Sequence, residues 1–92
     1  MACDPVVTQS VPRALFHRLL VDLAADHPGL NPDTVGDTGT DVSGAVTIAW
    51  DYSEPTQTLT VTFEHLAWYM PCEAANERIT AAIAKARTEM AA

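Results

Sequence analysis

The chain has 92 residues, enough for one small domain with a modest core and too few for two, so residues 1–92 are read as a single α+β domain. Twelve acidic side chains against five basic ones give a net charge of -7, which weighs against nucleic acid as a partner because a phosphate backbone would be repelled. No run of residues approaches the length needed to cross a bilayer, so no membrane partner is expected either.

Residues 1–9 carry neither a basic n-region nor an apolar h-region, and the expectation is a cytoplasmic protein with a loose amino terminus. Cys3 and Cys72 are the only cysteines, far apart and in no CxxC arrangement, which argues against zinc and against a disulfide-dense scaffold. Free thiols are the first expectation. The alternative is a single bond tying the terminus to a helix start.

The first helix is expected to open near Ser10, a good N-cap, with Pro12 in its first turn where a missing amide costs nothing, and to stop before His27-Pro28-Gly29. Phe16, Leu19, Leu20 and Leu23 recur at helical spacing, with Pro12 and Leu15 at the margins of the stripe, and that face belongs to the core. Val21 lies off the stripe. The following segment, 27–41, is long and polar for a connection in a small domain. Its Asp33, Asp37 and Asp41 are spaced four apart, unlike the alternating acidic positions of a calcium loop, so a solvated loop is the first reading. A brief strand over 34–38 would make the sheet three-stranded, although two strands remain the leading expectation.

Residues 42–65 read as a β-hairpin. Around Ser53-Glu54-Pro55-Thr56, pairing Tyr52 with Gln57 sets Trp50 opposite Leu59, Ile48 opposite Val61 and Val46 opposite Phe63, all on one face. The other face then carries Ser43, Ala45, Thr47, Ala49 and Asp51 against Thr58, Thr60, Thr62 and Glu64. Gly44 is read as relief at the strand start or close approach of another backbone. The connector that follows, His65 to Pro71, holds Trp68 and Tyr69, which either close the end of the core or serve as anchors for a partner.

The second helix is expected over 71–90, with Cys72, Ala75, Ile79, Ala82, Ile83, Ala86 and Met90 on one narrow stripe of mostly small residues. Cys72 in its first turn, with His65 nearby in sequence, has the setting of a nucleophile, yet it shares the stripe that should be buried. Glycine-rich phosphate loops, GxSxG and HExxH are all absent from the sequence, no cofactor is indicated, and no enzyme is expected.

The expected order is therefore α-β-β-α, an antiparallel hairpin with both helices on one face. Two strands leave free edges, and the strand from Val42 has no charged or proline gatekeeper through its centre. Pairing with a second copy would give a four-stranded sheet across a homodimer. The function so reached is a non-enzymatic protein-interaction module, acting as an adaptor, a regulator or a small assembly component. Val42, Ala45, Thr47 and Ala49 form its edge and open face, and Trp68 and Tyr69 are its candidate anchors. The alternative is a small apolar ligand held between the sheet and the Trp68-Tyr69 connector.

Overall fold

Two strands that the hydropathy pattern does not announce flank the hairpin, so the sheet has four strands within one chain. The computed structural model describes residues 3–25, 31, 33–34 and 36–91. In chain order the elements are β1 (Val6–Thr8), α1 (Arg13–Ala24), β2 (Thr38–Ser43), β3 (Val46–Ser53), β4 (Thr58–His65) and α2 (Cys72–Ala91). The strands lie in the order β1-β4-β3-β2, and every neighbouring pair is antiparallel. The α+β class holds, but the α-β-β-α order does not.

The expected first strand of the hairpin is really two. Gly44 has φ of 60°, where a residue without Cβ pays no steric penalty, and with Ala45 it makes a two-residue turn between Ser43 and Val46. That turn reverses the chain and puts Val42 opposite Thr47, on the face away from the core row. Nothing lies within 4 Å of the Cβ position at Gly44, so close approach of another backbone is not its reason.

At the other end Gln57 takes a left-handed backbone, φ 52°, and its amide donates to the Glu54 carbonyl at 3.1 Å. The connection thereby takes in Gln57, and the register moves by two residues: Tyr52 faces Leu59, Trp50 faces Val61 and Ile48 faces Phe63. A shift of two leaves every side chain on its face. Ile48, Trp50, Tyr52, Leu59 and Val61 are buried as the alternation requires. An irregularity between Thr47 and Ile48 then brings Thr47 opposite His65.

One apolar cluster joins this row to the helices, taking Leu15, Phe16, Leu19 and Leu20 from α1 and Ile79, Ile83 and Ala86 from α2. Val11, fully buried just before α1, belongs to it as well. The first helix starts later than Ser10, with Pro12 at the cap position and no side-chain cap, because Ser10 turns the chain with φ of 58°. The hydroxyl of Tyr52 donates to the Val11 carbonyl at 2.7 Å, and its ring stacks on Phe16 with centroids 4.5 Å apart. Burial pushes the Tyr52 phenol up from its ordinary range, with the nearby Arg13 charge acting the other way.

The amino-terminal residues, expected to be loose, are built into this frame. Val6 pairs with Val61 and Thr8 with Leu59, and the Cys3 amide donates to the Phe63 carbonyl at 2.8 Å. Cys3 is bonded to Cys72 across 69 residues of sequence, so the free-thiol expectation is overturned. Closing so long a loop restricts the unfolded chain, which a three-residue strand could not do through its own hydrogen bonds.

Candidate interaction surface

The connector between β4 and α2 folds as a turn closed by the Met70 amide donating to the Ala67 carbonyl at 2.9 Å. Ala67 is buried at the base of the turn, and Trp68 and Tyr69 occupy its tip, 95 % and 69 % exposed. Their rings meet edge to face with centroids 5.7 Å apart. The reading in which Trp68 plugs the end of the core is overturned. The small Ala67, buried at the base, takes the inward position of the turn, and the indole stands out in solvent.

The base of the turn is held from three directions. The strand β4 brings Phe63 and Glu64 in from one side, α2 leaves with Cys72 and Glu73 on the other, and Cys3 is linked to both, by hydrogen bond to Phe63 and by disulfide to Cys72. The Cα atoms of the two cysteines are 5.4 Å apart. Asp4, Glu64 and Glu73, the residues that follow these three linked positions, are all exposed carboxylates. The Asn76 side-chain amide donates to the Asp4 carbonyl at 3.2 Å and keeps that residue against α2.

The four sheet positions singled out from the sequence do not form one edge. Thr47 and Ala49 lie on β3, which is paired on both sides by β2 and β4, and Ala45 is in the turn before it. The edge that was to accept a second chain along β3 is occupied by β2 of the same molecule. Val42 alone is on an outer strand, 68 % exposed. Thr47, Ala49, Thr60, Thr62 and Val7 share the face opposite the core row, together with Thr40 and Val42 from β2. Beside Gln9 on that face runs a shallow groove of about 500 Å³ lined by Asp51, Ser53, Thr56, Thr58 and Thr60, well removed in sequence from the aromatic turn.

The chemistry-bearing residues are dispersed. With its sulfur bonded to Cys3, Cys72 has no thiol to act as a nucleophile. His65 is exposed at the end of β4, and His17 faces Asp33 at 3.3 Å. The three loop aspartates go separate ways: Asp33 to His17, Asp37 to Arg13, and Asp41 into β2 opposite Ile48. Among the described residues no group of three or more His, Cys, Asp or Glu is placed to hold a metal ion.

Arg13 makes the densest polar cluster. Its Nη1 and Nη2 donate to the two Asp37 carboxylate oxygens at 3.0 Å each, while Nε donates to Glu54 at 2.8 Å and the guanidinium lies 5.3 Å from the Tyr52 ring centre. The hydrogen bonds from Arg13 hold the Asp37 carboxyl below its ordinary value. This cluster ties α1 to the start of β2 and to the β3–β4 turn. Comparison with family models, with curated proteins and with solved structures gives no match. Among the described residues no helix is long and apolar enough to cross a membrane.

Proposed function

We propose that the protein is a non-enzymatic interaction module that docks onto another protein through the Trp68-Tyr69 turn. The observation that supports this most is the near-complete exposure of Trp68 on a turn whose base is fixed by a buried alanine and a neighbouring disulfide. A large aromatic has few rotatable bonds to order on binding, and burying one gains about 1.5–3 kcal/mol, the profile of an interface anchor. A small apolar ligand has less support, because an indole so exposed has no cleft wall beside it. The disulfide also favours action in an oxidising compartment over the cytoplasm.

The test is a photo-reactive side chain in place of Tyr69, cross-linked in extracts of the source cells. A specific product should be suppressed by excess unlabelled chain and not by the Trp68→Ala chain. Equal suppression by both, or no product, removes the reading.

Self-association is a second reading, moved from β3 to the outer edge of β2. It is favoured by the exposed Val42 and by six residues of regular strand without lysine or proline. The two-residue turn makes Ser43 and Val46 a hydrogen-bonded pair, so the amides of Thr40 and Val42 point outward. Thr40→Pro therefore removes an edge donor while sparing the ladder to β3. Light scattering at micromolar concentration should give twice the mass of the chain for the wild type and the single mass for Thr40→Pro. A single mass for both rejects edge pairing.

A further inference from the structure

We propose, resting on the interaction reading above, that the partner segment seated on the Trp68-Tyr69 turn is cationic, an extended stretch of protein bearing Lys or Arg. The aromatic turn leaves the molecule at the point where three chain segments are bound together, and each segment contributes a carboxylate there. Cys3 is bonded to Cys72 and its amide to the carbonyl of Phe63. Asp4, Glu73 and Glu64 come one residue after each of these, so three exposed acids from distant parts of the sequence each sit one residue from the links at the foot of the turn.

None of the three is in an ion pair with a described residue. The cations of the chain are committed elsewhere: Arg13 to Asp37 and Glu54, Arg18 to Asp22 and Glu89, Lys85 to Glu89, and Arg87 to the carbonyls of Gln9 and Ser10. Arg78 is five positions beyond Glu73 on α2, about 140° around the helix from it. The turn thus presents two aromatic rings in a field of uncompensated negative charge. A guanidinium or ammonium gains from both, by stacking on an exposed ring face and by pairing with the acids at its foot. The net charge of -7 adds long-range attraction for such a partner.

The probe is a ten-residue peptide alternating Arg with Gly and Ser, titrated into the oxidised full-length chain. Its control replaces every Arg by Gln. Acrylamide quenching reads Trp68 selectively, since Trp50 is buried. The Arg peptide should protect Trp68 and the Gln peptide should not, and affinity should fall about tenfold between 50 and 500 mM salt as the charges are screened. The triple variant Asp4→Asn, Glu64→Gln, Glu73→Gln should bind about tenfold more weakly. All these acids are exposed, so the variant is expected to fold, and an unchanged far-ultraviolet spectrum checks it. Equal protection by both peptides, unchanged affinity in the triple variant, or protection by phosphatidylcholine vesicles in place of the Arg peptide would overturn the inference. If cross-linking at position 69 depends on Trp68 while the Arg peptide leaves Trp68 unprotected, the docking reading stands and the cationic partner falls. If the cross-link shows no dependence on Trp68, both fall.

Discussion

The two outer strands of the sheet are secured by different means. β1 has only three residues, and its place beside β4 depends on what holds its ends: a covalent bond from Cys3 to Cys72 ahead of it and the buried Val11 behind it. β2 has six residues and no covalent tie, and is held by its ladder to β3, by the indole of Trp50 lying over Gly39, and by Arg13 gripping Asp37 at its start. A short edge needs an external constraint because three residues of pairing cannot offset the entropy of ordering the terminus. A longer edge can be held by side-chain packing, and it remains the one that offers a regular row of outward amides.

The strongest way to break this contrast is to remove the covalent tie. Cys3→Ser with Cys72→Ser opens a 69-residue loop and should cost about 4 kcal/mol on the chain-entropy scale, read as a lower midpoint in urea unfolding. If the edges differ as described, the amides of β1 should also lose hydrogen-exchange protection while those of β2 keep theirs. Uniform loss across the sheet would show that the two edges form one cooperative unit.

The packing that holds β2 is tested at Gly39. A Cβ there would stand 2.5 Å from Cζ2 of Trp50, so Gly39→Ala forces the indole or the strand to shift. The expected cost is about 1–3 kcal/mol, the range for overpacking a well-filled core. In a Trp50→Leu background most of that cost should vanish, because the ring that creates the clash is gone. An unchanged cost in both backgrounds would place the requirement for glycine in the backbone and not in the indole.

How far the sequence discloses all this follows the same division. The faces of β3 and β4 are legible because alternation has a period of two, and a register error of two residues leaves Ile48, Trp50, Tyr52, Leu59 and Val61 on the correct side. The strand β2 is hidden because its core-facing positions are Gly39 and Asp41, which carry no apolar signal; the aromatic neighbour that demands the glycine is eleven residues away. The strand β1 is too short for any periodicity, and its constraint rests on a pairing of two cysteines that spacing alone cannot assign. Gly44 was the available sign that the hairpin begins with a turn. Trp68 and Tyr69 were legible as candidates, and their exposure was not, since an apolar connector reads alike whether it plugs a core or leaves it.

The smallest expected effect is at the foot of β2, where Arg13 meets Asp37. Because the hydrogen bonds from Arg13 lower the carboxyl below its ordinary 3.8, the contribution is fully present above that value and is lost as pH falls through the lowered one. Both side chains are about half exposed, 48 % and 46 %, so screening by water and salt keeps the contribution small. Arg13→Ala should therefore produce a modest loss of stability at neutral pH that shrinks as the pH is taken below 4 or as salt is raised. Since the same guanidinium also holds Glu54 and sits over Tyr52, Asp37→Asn isolates the β2 contact: it should loosen the amides at the start of β2 in hydrogen exchange and leave those at the β3–β4 turn unchanged. Equal loosening at both would mean that Arg13 acts as one clamp over the whole end of the sheet, and that the two edges share more of their support than the disulfide alone suggests.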